Sequence, residues 1–223
     1  MRAMILAAGR GERLRPLTDR TPKPLIEVAG RPLVVHHLEA LARAGIHDIV
    51  INVSWLAERI ESALGDGTDL GVRIRYSREP EPPLETAGGI VHALPLLGSA
   101  PFLVVNGDVW TDVDLGRVAR TRLDGLAHLV LVDNPDHHPQ GDFGIRDGRL
   151  ALDAEPHWTF SGIGLYRPEL FAGLAPGVRP LRPVLENAAR SGGITAEHHT
   201  GAWTDVGTPE RLEAVRSAAA RRG

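Results

Sequence analysis

Apolar residues fall along this chain in two rhythms. Compact runs at Ala3–Ala8, Asp48–Val53, Phe102–Asn106 and Ala127–Val132 are separated by stretches whose apolar positions recur every three or four residues. The runs predict strands buried on both faces, and the spaced stretches predict helices packed over them. Helices are expected over Pro32–Ala44, ending at Gly45, over Leu56–Leu64, ending at Gly65, and over Thr86–Leu97. Val72–Tyr76 alternates as a further strand. Strand and helix in turn are the signature of βαβ units. The expected fold class is therefore α/β, with a mixed, mainly parallel sheet flanked by helices.

Past residue 110 the rhythm loosens. Asp112–Arg122 predicts a helix started by Asp114, and Phe143–Asp153 a hairpin turning at Arg146-Asp147-Gly148. Thr159–Tyr166 predicts a strand in which Gly162 and Gly164 allow close approach to the backbone. Two more helices are expected, Arg182–Arg190 and Pro209–Ala220, the second capped by Thr208 with Pro209 in its first turn. No repeat, low-complexity tract or linker interrupts the 223 residues, and Pro80–Pro83 reads as a stiff loop. The expectation is one domain over 1–223 with no separate C-terminal domain.

Composition narrows the function by exclusion. A net charge of −3 argues against a nucleic-acid partner, which favours a basic face. The absence of cysteine removes disulfides, thiolate metal sites and a cysteine nucleophile. No apolar run approaches the roughly 18 residues of a membrane helix. Ala3–Ala8 is also shorter than the about 7–15 residues of a signal-peptide core, so a cytoplasmic location is expected. Of 25 lysines and arginines only Lys23 is a lysine. In so arginine-biased a chain, Lys23 is a candidate for a site needing a compact ammonium rather than a planar fork.

Leu6 to Thr18 reads LAAGRGERLRPLT. Gly9 and Gly11 let backbone N–H groups turn toward an anion, and Arg13 and Arg15 add phosphate-pairing charge. The string lacks the lysine-serine/threonine ending of a P-loop and the third glycine of the dinucleotide fingerprint. Together with TPKPL (Thr21–Leu25) it resembles the N-terminal signature of the sugar-1-phosphate nucleotidyltransferases. The resemblance runs from Ala3 to about Val215 and implies a Rossmann-like nucleotidyltransferase fold. It also implies a loop that wraps the NTP through Ala7, Ala8, Gly9 and Gly11. Arg13 then holds the β and γ phosphates and Lys23 the reacting ones.

Strand-end aspartates usually cap turns, yet Asp108 (NGDVW) and Asp205 (WTDVGTPERL) look like the family's metal-binding motifs, with Mg²⁺ as the implied cofactor. LETAGGI, Leu84–Ile90, reads equally as an ordinary helix start or, by the resemblance, as the base-contacting segment through Thr86, Ala87 and Gly88. Glu85 stands where many relatives have glycine. Asn106, Asp142 and Gly162 are the implied sugar contacts. His137 and His138 lack the spacing of a metal site and read as a solvated loop. Many relatives hold the sugar phosphate with a second lysine; here Arg179 or Arg182 is the available substitute.

INVSWL, LVDNPDHHPQGDF and TFSGIGLY are similar to uridylyltransferases acting on N-acetylmuramate 1-phosphate in cell-wall recycling. The implied partners are an NTP, here UTP, and a sugar 1-phosphate, in a monomer or small homo-oligomer. A mannose-1-phosphate guanylyltransferase is the second reading. A non-catalytic nucleotide-sugar sensor is disfavoured by the joint presence of Arg13, Lys23, Asp108 and Asp205.

Overall fold

The computed structural model describes residues 1–220. The chain enters through strand β1 (Arg2–Leu6), then a small ribbon of β2 (Glu27–Val28) and β3 (Arg31–Pro32), helix α1 (Leu33–Arg43), β4 (Asp48–Val53), α2 (Ala57–Leu64) and β5 (Arg73–Arg78). Next come α3 (Glu85–Leu97), β6 (Phe102–Asn106), β7 (Val109–Thr111), α4 (Leu115–Arg120), β8 (Ala127–Val132), β9 (Gly144–Arg146) and β10 (Arg149–Ala151). The last elements are β11 (Thr159–Tyr166), α5 (Arg182–Arg190), β12 (Ile194–His199), β13 (Trp203–Asp205) and α6 (Pro209–Ala220).

The main sheet runs in the order β5-β4-β1-β6-β11-β8-β12-β10-β9. Strands β5, β4, β1 and β6 are parallel, as is the β8–β12 pair, while β11 lies antiparallel between β6 and β8. The carboxyl ends of β1, β4, β6, β8 and β12 therefore share one edge with the start of β11. Ligands of open α/β sheets bind at such an edge.

Alternation along β1 explains the layers. Ala3 and Ile5 point into a cluster with Val34, Leu38 and Leu41 of α1, Ile60 of α2 and Val118 of α4. Met4 points the other way, to Ile90 and Leu97 of α3 and Leu185 of α5. A third cluster joins Leu14, Val28 and Leu33 to Val206, Leu212 and Val215. It fastens α6 against the segment that follows the glycine loop.

Most expected elements are present, with informative differences. Strand β1 stops at Leu6 rather than Ala8, because the Ala7 amide leaves the ladder and donates to Asn52 Oδ1 at 2.7 Å. Helix α1 ends as expected, with Gly45 at φ 77° and the Ile46 amide donating to the Leu41 carbonyl. Asp114 caps α4 through the Arg117 amide at 2.9 Å, though that helix is shorter than Asp112–Arg122. Asp147 and Gly148 both take positive φ in the β9–β10 turn, as a type I′ hairpin requires. Strands β2, β3, β7, β12 and β13 carry no apolar run of their own and were not expected. No helix of the described residues is long and apolar enough to cross a membrane.

Strand β12 is tied down by charge as well as by pairing. His128 Nε2 lies 3.6 Å from Glu197, and Arg117 donates two 2.6 Å bonds to the same carboxylate. These neighbours hold the Glu197 carboxyl down from 4.5 to about 2. A carboxyl depressed on folding stabilises the protein above its unfolded value and loses that contribution as pH falls through its folded one. Glu197→Gln is therefore expected to lower stability at neutral pH and to flatten its fall between pH 4.5 and about 2. Thermal melts at stepped pH read this, and an acid limb like that of the parent protein would remove Glu197 from the role.

Candidate active site

The glycine loop leaves β1 at the sheet's carboxyl edge. Gly11 sits in the left-handed region at φ 65°, and a Cβ there would come within 2.9 Å of Thr18 Cγ2. The close approach is used: Thr18 Oγ1 donates to the Gly11 carbonyl at 2.9 Å, and Trp55 Nε1 donates to the Thr18 carbonyl at 3.0 Å. Gly9 has open space where a side chain would project. The loop thus curls around a cleft of about 450 Å³ lined by Ala7, Gly9, Gly11, Arg13, Lys23, Thr86, Asn106 and Asp108. Ala8 is buried beside it but does not line it. Arg13 is exposed and has no carboxylate partner among the described residues.

Lys23 Nζ donates to Asp108 Oδ2 across the cleft, and both side chains are largely buried. His37 lies beneath them. Burial pushes its imidazole down to about 4, against the opposing pull of Asp108. A ring kept neutral at pH 7 leaves Lys23 as the countercharge to Asp108.

Asp205 arrives from the other end of the chain. β13 pairs antiparallel with β7, setting Asp205 opposite Val109, and the Val206 amide donates to the Asp108 carbonyl at 2.7 Å. One rung of backbone thus joins the two aspartates' segments: Asp108 lines the cleft, while Asp205 stands behind its lining, next to Gly207. Asp205 Oδ1 accepts from Arg211 Nη1 at 2.7 Å and lies 3.2 Å from His137 Nε2. Asp108 Oδ1 and Asp205 Oδ2 have no hydrogen-bond partner among the described residues. No group of three or more His, Asp or Glu there forms a fuller cage. Two carboxylate oxygens without a protein partner suit a hard dication that keeps several waters and takes the rest of its shell from phosphate.

A second cavity of about 370 Å³ shares Thr86 and Asn106 with the first and adds Phe143, Phe160, Leu181 and Arg182. Gly162, at φ 78°, makes room for Asn106: a Cβ on it would lie 2.4 Å from the amide nitrogen. Gly162 is thus packing for a cavity wall rather than a wall itself. Asp142 lines the cavity with its oxygens engaged by Arg182 at 3.1 Å, His138 at 3.2 Å and the Phe160 amide at 2.9 Å. Of the two arginine candidates, Arg182 is at this cavity. Arg179 turns away to the Ala175 carbonyl at 2.6 Å.

Some expected contacts lie elsewhere. Ala87 and Gly88 are inside the fold, and both amides donate to the Arg179 carbonyl, at 3.0 and 3.2 Å. A Cβ on Gly88 would meet the Gly177 carbonyl at 2.2 Å, so this glycine serves packing against the 177–179 loop. Only Thr86 of the three faces the cleft. Glu85 holds φ 59° at the start of α3, the conformation that makes glycine the easy residue there. His137 and His138 stand in an exposed loop as expected, and each also lies against an aspartate, Asp205 and Asp142.

Residues 2–147 match the nucleotidyl transferase family. The chain belongs to this family. It is 53% identical to the N-acetylmuramate alpha-1-phosphate uridylyltransferase of Neisseria meningitidis serogroup B, over 98% of both chains. It is 30% identical to the mannose-1-phosphate guanylyltransferase catalytic subunit beta of Xenopus tropicalis, over 94% of this chain and 62% of that one. Among solved structures, the inositol-1-phosphate CTP transferase of T. maritima superposes with a TM-score of 0.81 at 20% identity, over 98% of this chain and 95% of that one. The last comparison speaks to the fold alone: a Rossmann-like nucleotidyltransferase architecture.

The sequence reading missed one buried relay in this nucleotidyltransferase. Asn52 accepts from the Ala7 amide at 2.7 Å and donates to Glu79 Oε1 at 2.6 Å, while Glu79 Oε2 accepts from the Leu84 amide at 2.8 Å. It links the glycine loop to the start of α3 across the cleft floor. The available signal was a single asparagine inside the apolar run DIVINV. Asn52→Ala leaves the Ala7 amide and Glu79 Oε1 unpartnered, at a cost of about 1–3 kcal/mol in stability. Loosening of the loop is expected to weaken nucleotide binding about tenfold, equivalent to ~1.4 kcal/mol. Calorimetric titration of the folded variant with nucleotide tests this, and parental affinity would make the relay purely structural.

Proposed function

We propose that this enzyme transfers UMP from UTP to N-acetylmuramate 1-phosphate, giving UDP-N-acetylmuramate and pyrophosphate. The observation that carries the reading is the near full-length identity to the Neisseria uridylyltransferase, whose name specifies that sugar phosphate and a uridylyl group. The site supports it with a cationic loop for a triphosphate beside a separate cavity for an acceptor. This reading assigns the enzyme to the cytoplasm and to the reuse of cell-wall sugar.

An acceptor phosphate oxygen attacks the α-phosphorus of UTP, and the bond to the β-phosphate oxygen breaks. The attacking group is already an anion, so no general base is required. Positioning and charge neutralisation do the catalytic work. Lys23, held at the cleft by Asp108, draws the acceptor phosphate and the α-phosphate together. The backbone of Gly9 and Gly11 cradles the β and γ phosphates, and Arg13 balances the charge that builds on departing pyrophosphate. Asp108 and Asp205 would hold Mg²⁺, which when bound neutralises phosphate oxygens and polarises the reacting phosphorus. Thr86 and Asn106, common to both cavities, mark the junction where nucleotide and acceptor meet. Arg182 is the cation nearest the acceptor cavity and takes the place of the missing second lysine.

Pyrophosphate release from UTP with Mg²⁺ and a panel of sugar 1-phosphates tests the assignment. Turnover with N-acetylmuramate 1-phosphate is expected to exceed that with the other sugars. Preference for GTP with mannose 1-phosphate would favour guanylyl transfer instead, and silence across the panel would favour a sensor. Lys23→Ala is expected to reduce turnover by about a hundredfold or more, on the scale of ~2.7 kcal/mol. Near-parental turnover by a folded Lys23→Ala variant would remove Lys23 from the mechanism.

A further inference from the structure

We propose that Arg211 is a positioning residue that aims the carboxylate of Asp205 into the cleft. The inference rests on the reading of Asp108 and Asp205 as the ligands of a divalent cation.

Arg211 is not a surface ion-pair partner. Its side chain is 15% exposed and that of Asp205 20%, and its Nε is buried with no partner among the described residues. Burying a guanidinium with one nitrogen unsatisfied costs stability. A residue that merely capped a helix would not need that arrangement.

The geometry is one-sided. Of the two Asp205 oxygens Arg211 Nη1 donates to Oδ1 alone, and the same Nη1 also donates to His137 Nε2, which braces the guanidinium from its exposed side. The other oxygen, Oδ2, faces Gly207: a Cβ built on that glycine would lie 3.0 Å from Oδ2 and 2.2 Å from Arg211 Nη2. Gly207 is itself a lining residue of the nucleotide cleft. The clamp on Oδ1 thus leaves Oδ2 as the oxygen offered to the cleft, and the glycine keeps its path clear. Without the clamp, rotation of the carboxylate about its terminal bond would spread both oxygens over a wide arc.

The base of the arginine is held as firmly as its tip. Arg211 stands in the first turn of α6, where its amide donates to Thr208 Oγ1 at 3.4 Å and the Leu212 amide to the Thr208 carbonyl at 3.0 Å. Leu212 and Val215 of the same helix are buried against Leu14 and Val28. Partners behind a metal ligand commonly set affinity by fixing its orientation. A guanidinium also repels a nearby dication, so the opposite role, competition with the metal, predicts a change of opposite sign.

Mn²⁺ binding to the purified protein, followed by electron paramagnetic resonance and by calorimetry, tests the proposal. Arg211→Met is expected to weaken Mn²⁺ binding by about 10- to 100-fold. The Mg²⁺ concentration for half-maximal turnover is expected to rise in step, while kcat at saturating Mg²⁺ stays closer to the parent. Arg211→Lys keeps the charge but loses the fork, and is expected to fall between the two. His137→Ala removes the exposed acceptor that braces Arg211 Nη1, without disturbing the core, and should show a smaller loss. Parental or tighter Mn²⁺ binding in folded Arg211→Met, or parental binding in His137→Ala where Arg211→Met does not fold, would overturn the proposal. Asp108→Asn and Asp205→Asn separate the two levels. If both bind Mn²⁺ as the parent does, the metal reading itself fails and this inference with it.

Discussion

A single backbone rung, from the Val206 amide to the Asp108 carbonyl, brings together carboxylates that lie almost a hundred residues apart in the chain. Two like charges at one mouth repel, and each is matched by its own cation, Lys23 for Asp108 and Arg211 for Asp205. Partly buried pairs of this kind contribute little net stability, because desolvation offsets the attraction. Their value is geometric. They hold charged groups in defined orientations at the sheet's edge.

The rest of the fold supplies the two supports of that rung. One is β6, buried in the middle of the sheet, which ends at Asn106 and so fixes Asp108 two residues on. The other is α6, whose apolar face packs under the glycine loop rather than on the main sheet. Left-handed backbone does the fine placement. Gly11 brings the loop against Thr18, and Gly162 admits Asn106 at the junction of the two cavities. In both places an added side chain would fill space that a neighbouring side chain already occupies.

Much of this was legible in the residues. Strands whose own side chains make the core, such as AMIL and FLVV, announce themselves by apolar runs, and Gly45 and Asp114 announced the helix ends they form. Strands β7 and β13 did not, because three-residue strands owe their existence to each other and carry no periodicity. The candidate site divides in the same way. The cleft gathers Arg13, Lys23 and Asp108 from motifs that could be read locally, and the β7–β13 rung brings Asp205 to its mouth. Ala87 and Gly88 sit in a motif equally well explained by close packing, and the structure gives their amides to Arg179. His137 gained a partner only through tertiary folding, from an aspartate far along the chain. Asn52 was a lone polar letter in an apolar run, and nothing local indicated that it would bridge to Glu79.

Because strand β13 and helix α6 complete the cleft mouth, the order of synthesis matters. A nascent chain exposes its glycine loop and Lys23 early and can build β1, β4 and β6 around them. Asp205, Gly207 and Arg211 leave the ribosome well after Asp108. A partly made chain carries the glycine loop, Lys23 and Asp108 well before Asp205 joins them, so the mouth takes its final form only when β13 pairs with β7.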